Sequence, residues 1–199
     1  MKTLTTVMCL AALSLAVDAR AQRFDTAAQL GLLNRNKADL GSYDNWYTVA
    51  AIDGTVGRYW SPHVKTEFDI GTSGEGSIFA GYREHRVRDT TVGATVLYQF
   101  FENQWVHPFA GGGLELVHER QRADAFPPST FRGVTGAGFP VVPSLPAIDA
   151  VTYSVRPIVT GGFKFYVTPH AFIRVDARTA LSAERPLALQ WRGGIGFDF

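Results

Sequence analysis

The sequence contains a single cysteine, Cys9, in 199 residues, so it offers no pair for a disulfide and no cysteine-ligated metal site. It also lacks an apolar run of the roughly 18 residues that a membrane-spanning helix needs. The charges of acidic and basic residues nearly cancel, to a formal net charge of +1. The sequence therefore lacks the excess of basic residues that is typical of proteins that bind nucleic acid. Charged residues amount to only 19%, whereas 13% are aromatic and 20 residues are glycine. These values favour a β protein with many turns, and the length is that of one domain.

The first 21 residues have the order of parts found in a secretory signal peptide. Lys2 precedes an apolar run from Leu10 to Val17, and the small-x-small triplet Ala19 to Ala21 follows it. We predict a signal peptide over residues 1–21 with cleavage before Gln22, because the apolar run is too short for an N-terminal membrane anchor. The mature chain, 22–199, then has 17 basic and 17 acidic residues, since cleavage removes Lys2, Arg20 and Asp18.

An alternation of apolar and polar side chains recurs along the mature chain. It predicts β-strands, because successive side chains of a strand point to opposite faces. In the last stretch, Leu189, Trp191 and Phe197 lie on one face, and Arg192 and Asp198 lie on the other. Eight such strands are predicted, near residues 27–34, 46–60, 64–71, 90–101, 106–119, 151–166, 171–180 and 187–199.

The connections between these strands alternate in length. Those after the second, fourth and sixth strands are tight turns, near 61–63, 102–104 and 168–170. The others are longer and polar, and the longest, residues 121–150, has no period and is rich in proline and glycine. Short turns at one end and long loops at the other are typical of bacterial outer-membrane barrels. The pattern predicts an all-β fold, an eight-stranded antiparallel up-and-down transmembrane β-barrel with both termini in the periplasm.

With this arrangement the mature chain resembles the small eight-stranded outer-membrane proteins, the OmpA- and OmpW-like barrels. Its last strand ends at Phe199 with hydrophobic residues at alternate positions before it, as the closing strands of that family do, and it departs from the pattern at Gly193. The resemblance implies residence in the cell outer membrane, with outer-membrane lipid and lipopolysaccharide as partners. It also implies that the barrel-assembly machinery reads the terminal Phe199.

Alternation alone is compatible with two kinds of barrel. One is a membrane barrel with an apolar exterior, and the other is a soluble lipocalin-like barrel with an apolar interior. The polar face carries glycine, threonine and charges of both signs, and aromatic residues gather at strand ends; both features favour the apolar exterior. We expect the charges to pair across the lumen and plug it, because side chains just fill an eight-stranded interior. An ion or solute path is the alternative. The predicted lumen charge network consists of Lys65, Glu67, Asp69, Glu115, Glu119, Arg156, Lys164, Arg174, Asp176, Arg178 and Arg192.

Aromatic side chains near the short turns predict one of the two aromatic girdles that flank a membrane barrel. The predicted periplasmic girdle and assembly signal consist of Tyr59, Trp60, Phe100, Trp105, Tyr166, Phe197 and Phe199.

The sequence predicts no catalytic, cofactor-binding or metal-binding residue. Its histidines are scattered, and no HExxH spacing is present. Some small outer-membrane barrels are lipid A deacylases that pair a serine with a histidine near the outer rim. Here His118 and Glu119 lie near the outer end with no serine beside them, so we expect no enzymatic activity.

These observations predict an integral outer-membrane barrel with a structural or surface-interaction role. The loop 121–150 is apolar, and we expect it to bind an extracellular ligand, to cover the barrel mouth as a lid, or to lie on lipopolysaccharide. Two other functions remain open at this point. One is a narrow channel or carrier for small or hydrophobic solutes, and the other is a secreted lipocalin-like binding barrel.

Overall fold

The structure is a computed structural model that describes residues 23–37, 46–80, 83–101, 105–126, 144–181 and 186–199. The predicted signal peptide, 1–21, and its cleavage point lie outside the described residues. So do the turn predicted at 102–104 and residues 127–143 of the long loop.

Strands make up nearly all of the described chain, because the period-two alternation continues with few breaks from one turn to the next. The nine strands are β1 (Phe24–Asn36), β2 (Trp46–Tyr59), β3 (Val64–Ser73), β4 (Gly76–Ala80), β5 (Arg83–Gln99), β6 (Val106–Ala123), β7 (Ile148–Tyr166), β8 (Ala171–Leu181) and β9 (Pro186–Asp198). No helix in the described ranges has the length and apolar character needed to cross a membrane.

The strands form one antiparallel sheet that closes on itself, in the order β3-β2-β1-β9-β8-β7-β6-β5 with β5 paired again to β3. Strand β4 follows β3 after Gly74 and Glu75 and pairs with the other part of β5, from Arg83 to Val87. The nine segments therefore fill eight positions around the ring. The predicted eight-stranded antiparallel barrel is confirmed.

Each strand turns an apolar face outward and a polar face inward. On β5, Val92, Val96 and Tyr98 are about half exposed, whereas Thr95 and Leu97 between them are buried. The arrangement is the reverse of a soluble barrel, whose apolar side chains fill the interior. The lipocalin-like alternative is therefore wrong. Buried apolar side chains form only small clusters, which lie toward the loops: Leu33, Ala51, Ile158, Ala180 and Ala188 in one, and Tyr47, Ile78 and Val87 in the other.

The start of β1, the C-terminal Phe199 and the short turns near 60–64 and 167–171 share one end of the barrel, which we call the turn end; the opposite end is the loop end. At the turn end, Phe24 N donates to Phe199 O at 2.9 Å, and Phe199 N donates to Phe24 O at 2.8 Å. The tight turn after β7 is closed by the Thr168 hydroxyl, which accepts a hydrogen bond from Ala171 N at 2.9 Å. The first and last strands are thus joined edge to edge, which removes the free edges of the sheet.

Several strands are longer at the loop end than the sequence predicted. Between the strands predicted at 64–71 and 90–101, β3 continues to Ser73, β4 spans Gly76–Ala80 and β5 begins at Arg83. Gly71 pairs with Thr91 on β5. Gly71 is needed here for close packing inside the barrel and does not form a turn. A Cβ at this position would lie 3.1 Å from both Asp53 Cγ and Thr91 Oγ1. Likewise β6 extends to Ala123 and β7 begins at Ile148, so both strands continue into the stretch predicted as a loop at 121–150.

Candidate functional site

The barrel interior concentrates the charged side chains of the protein. All eleven residues of the predicted lumen charge network are buried, and each takes part in at least one ion pair. The ion pairs group into three clusters that follow one another from the turn end to the loop end. We call them the lower, middle and upper clusters.

The lower cluster begins at the turn end, where β1, β3 and β7 bring opposite charges together. Lys65 Nζ lies 2.7 Å from Asp25 Oδ2 and 2.7 Å from Glu67 Oε2. Lys164 binds Asp25 as well and lies 3.4 Å from Asp198 Oδ1. Two ammonium groups therefore share one buried carboxylate, and each has a second carboxylate of its own.

The lower cluster continues through β8 toward the middle of the barrel. Arg174 donates from Nη1 to Glu67 at 2.6 Å and from Nε to Asp176 at 2.6 Å. Asp176 also accepts from Arg192 Nε at 2.6 Å and from Gln29 Nε2 at 2.8 Å. The whole cluster has as many acidic as basic side chains: Asp25, Glu67, Asp176 and Asp198 against Lys65, Lys164, Arg174 and Arg192.

The middle cluster contains Asp69, Glu115, Arg156 and Arg178. Arg178 bridges the two acids, at 2.6 Å from Asp69 Oδ1 and 3.1 Å from Glu115 Oε2. Arg156 Nη2 lies 3.0 Å from Glu115 Oε1. Beside this cluster, Gln190 Nε2 donates to Asp53 at 2.7 Å. Acidic and basic groups again balance within the cluster.

The upper cluster lies near the loop end and contains Arg35, Lys37, Asp89 and Glu119. Arg35 binds both Asp89 and Glu119, and Lys37 Nζ lies 2.7 Å from Glu119 Oε1. Three charge-balanced clusters thus follow one another along the interior. Each charged side chain of the three clusters has an opposite charge in contact, as burial in a low-dielectric interior requires. The buried Asp53, beside the middle cluster, accepts a hydrogen bond from Gln190 instead.

Sequence reasoning missed several members of these clusters. Asp25, Arg35 and Asp89 lie one or two residues beyond the strand ends predicted at 27, 34 and 90, so they were not assigned to a face. The sequence does contain a pattern that could have identified Asp25, because the period of two continues through Asp25, Ala27 and Gln29. Asp198 was placed on the polar face of the last strand, but it was not included in the lumen charge network.

Five members of the predicted girdle lie outside the barrel at the turn end. Trp60, Phe100, Trp105 and Phe197 are exposed, and the half-buried Phe199 ring stacks on Phe24 with 6.3 Å between ring centroids. Arg58 lies over the Trp60 ring at 4.2 Å, which is a cation–π contact at the same rim.

The girdle prediction is wrong for Tyr59 and Tyr166, whose hydroxyl groups point into the barrel. Tyr59 Oη lies 2.7 Å from Lys164 Nζ, and Tyr166 donates to Asp198. Both side chains belong to the inward face of their strands. A phenol at the rim turns inward here because buried ionic groups offer its hydroxyl stronger hydrogen bonds than the interface does.

Two cavities lie along the part of the interior that the structure describes. A cavity of about 30 Å³ lies beside the middle and upper clusters, with Asp53, Asp89, Arg156 and Arg178 in its wall. A recess of about 450 Å³ opens at the turn end, lined by Arg23, Gln99, Tyr166 and Asp198 among others. The two linings have no described residue in common, and the Lys65–Glu67–Arg174 chain of ion pairs lies between them.

A closed antiparallel barrel with an apolar exterior and a paired ionic interior defines an integral membrane β-barrel. The family model for the outer membrane protein beta-barrel domain matches residues 5–199 of the sequence. The chain therefore belongs to this family. It is therefore an outer-membrane protein.

Solved structures share the fold at low sequence identity. Neisserial surface protein A is 14% identical, with a TM-score of 0.61 over 88% of this chain and 97% of that chain. OprG of Pseudomonas aeruginosa is 10% identical, with a TM-score of 0.54 over 90% and 97%. Ail, the attachment invasion locus protein of Yersinia pestis, is 12% identical, with a TM-score of 0.53 over 89% and 99%. A comparison with curated protein sequences found no match.

Proposed function

We propose that the protein is a closed, non-conducting and non-enzymatic outer-membrane barrel that presents a surface for interaction at its loop end. The observation that carries this proposal is the series of three charge-balanced clusters that fills the interior. An ion that crossed the barrel would have to separate pairs such as Arg174–Glu67, which are buried and in direct contact at 2.6 Å. Separating one partner from a buried pair leaves an uncompensated charge, which costs several kcal/mol.

The size of the cavity beside the middle and upper clusters supports the same function. A cavity of about 30 Å³ has room for roughly two water molecules and for no larger solute. The ionic plug also ties opposite walls together, so the barrel is a rigid base for its loops. Rigid scaffolds with variable loops are a common way to build binding surfaces.

The same proposal covers the steps that bring the chain to the membrane. A signal peptide over residues 1–21 is cleaved before Gln22, and the turn end faces the periplasm with both termini of the mature chain. The barrel-assembly machinery binds the last strand through Phe199, and the loop predicted at 121–150 contacts an extracellular ligand.

Recordings in planar lipid bilayers test the closed interior. The purified protein is inserted, and folding is checked by its heat-modifiable migration in gels. We expect no conductance steps from the native protein. An open porin inserted under the same conditions is the positive control for insertion and recording. Steady ion-selective steps from the native protein would overturn the proposal in favour of a narrow channel.

Membrane fractionation tests the location of the mature protein. The chain should stay in the outer-membrane fraction after an alkaline wash, with Gln22 at its N-terminus by mass spectrometry. Release of a cleaved monomer into the soluble fraction would contradict the proposal.

A further inference from the structure

Four arginines form a patch on the outer surface of β5 and β6 near the loop end. The outward face carries Arg86 and Arg88 on β5 and Arg120 and Arg122 on β6, and each is partly or fully exposed. The sheet register places Arg88 directly opposite Arg120 and Arg86 directly opposite Arg122. We call these four side chains the arginine patch.

On β5 and β6, the arginine patch begins where the outward apolar residues end. Val92 and Leu116 are exposed and directly opposite each other, and Arg88 and Arg120 follow four residues further toward the loop end. Four residues span about 13 Å along a strand, or about 10 Å of height at the usual tilt of a membrane barrel. That height corresponds to the lipid headgroups next to the hydrocarbon layer.

Aromatic contacts support the position of this boundary. The His118 ring packs against Tyr153 at 5.1 Å between centroids, and Tyr153 is 68% exposed on the outer face of β7. This pair lies between Leu116 and Arg120 along β6. Amphipathic rings of this kind are enriched at the interface between hydrocarbon and headgroups.

The arginine patch is only partly neutralised by the protein itself. Arg86 lies 2.6 Å from Asp124, while Asp149 lies 2.6 Å from Arg120 and 3.9 Å from Arg122. Glu84, the next outward residue of β5, accepts a hydrogen bond from Ser77. Arg88 makes no ion pair with any described residue, so the patch keeps an excess of positive charge. Like charges directly opposite each other destabilise a pair of strands. An anion bound between them would remove this repulsion.

We propose that the arginine patch binds the phosphate groups of lipopolysaccharide in the outer leaflet. Neighbouring strands are about 4.8 Å apart and alternate residues about 7 Å apart, so the patch has the size of one or two phosphate groups. Guanidinium groups bind phosphate through two parallel hydrogen bonds, and they do so at a membrane surface where lipid supplies the anion. This proposal needs only the outer-membrane location, so it is independent of whether the lumen conducts ions.

Binding to purified lipid A tests the proposal with the full chain in detergent micelles. The probes are lipid A with both phosphates, the same lipid A without phosphates, inorganic phosphate, and a soluble sulfated oligosaccharide. We expect the native protein to bind the phosphorylated lipid about tenfold or more tightly than the dephosphorylated lipid, and this preference should fall as salt is added. Inorganic phosphate alone should bind too weakly to compete with the lipid.

Substitutions test whether the arginine patch is responsible for the preference for phosphorylated lipid. Arg88→Gln/Arg120→Gln should abolish the preference for phosphorylated lipid, and Arg88→Lys, which keeps the charge and loses the forked geometry, should reduce it in part. The matched control is Arg23→Gln/Arg58→Gln, which removes the same charge from exposed arginines at the turn end and should keep the preference. Heat-modifiable migration establishes that each variant is folded.

Three results would overturn the proposal. The first is a native protein without preference for the phosphorylated lipid, and the second is an equal loss in the patch and control variants. The third is a patch variant that loses only the sulfated oligosaccharide. That last result would assign the patch to an extracellular polyanion.

Discussion

Arg174 and Glu67 meet in the middle of the lumen from opposite walls of the barrel, with 2.6 Å between Arg174 Nη1 and Glu67 Oε2. Arg174 belongs to β8 and Glu67 to β3, and three strands separate β8 from β3 in either direction around the ring. No backbone hydrogen bond joins these two strands in the described sheet. The ion pair therefore braces the barrel across its full width, which the sheet alone does not do.

Removal of Arg174 should destabilise the barrel strongly. Arg174→Met keeps most of the side-chain volume but leaves Glu67 buried with only Lys65 as a partner, at an expected cost of about 3–5 kcal/mol. The measurement is the urea midpoint of unfolding in lipid vesicles, followed by heat-modifiable migration. The exposed Arg23 gives the control, since Arg23→Met should change stability by no more than about 0.5 kcal/mol.

The double variant Glu67→Gln/Arg174→Met separates the pair from its surroundings. It should be less destabilised than the sum of the two single variants, because neither partner is left as an unpaired charge. Strict additivity of the two substitutions would contradict a direct coupling between Arg174 and Glu67.

Glycines on the two faces of the sheet should respond to substitution in opposite ways. A Cβ at Gly93, which faces inward, would lie 2.7 Å from Arg178 Nη2 and 2.8 Å from Asp69 Oδ1. Gly93→Ala therefore forces that ion pair apart and should cost about 1–3 kcal/mol. At Gly193, which faces lipid, nothing lies within 4 Å of the added atom. Gly193→Ala should be neutral or stabilising by up to about 1 kcal/mol. Equal losses in the two variants would show that the interior does not set the requirement for glycine.

The period of two was sufficient to predict which way most side chains point. Lys65 and Glu67 alternate with Thr66 and Phe68 in the sequence, and the structure buries the first two and exposes Phe68. A sheet with one apolar face and one charged face, closed on itself so that it has no free edge, is compatible with few folds other than a membrane barrel. The fold class could therefore be predicted without any motif.

Ion-pair partners could not be predicted in the same way. Arg174 and Glu67 are 107 residues apart in the chain, and their meeting depends on the tilt and stagger of the strands, which local alternation does not contain. The inward direction of Tyr59 and Tyr166 follows from the period of two, but their partners, Lys164 for Tyr59 and Asp198 for Tyr166, come from other strands and were not predictable. Strand ends were missed for a related reason. Polar residues such as Asp89 indicate a loop when they are considered alone, but here they are paired inside the barrel with Arg35.

Trp191 should contact the hydrocarbon layer. Its side chain is 58% exposed on the outer face of β9, between strands β1 and β8. In a variant that keeps Trp191 as its single tryptophan, lipids brominated deep in their acyl chains should quench its fluorescence. A variant that keeps only Trp60, at the turn end, should be quenched more by probes near the headgroups. Trp191 that is insensitive to every lipid-restricted quencher would contradict the orientation of the sheet.

Phe199 contributes to the barrel through its backbone and through its aromatic ring, and two variants can separate these contributions. Its backbone closes the ring through hydrogen bonds with Phe24, at 2.8 and 2.9 Å, while its aromatic ring stacks on the Phe24 ring at the rim. Phe199→Ala keeps the backbone bonds and removes the ring, so its effect on the urea midpoint should be small and close to that of Phe24→Ala. If the ring is also the signal for assembly, Phe199→Ala should lower the amount of folded protein in outer membranes well below that of Phe24→Ala. Heat-modifiable migration of membrane fractions measures this amount. Equal levels of the two variants would leave Phe199 with the closure of the barrel as its role.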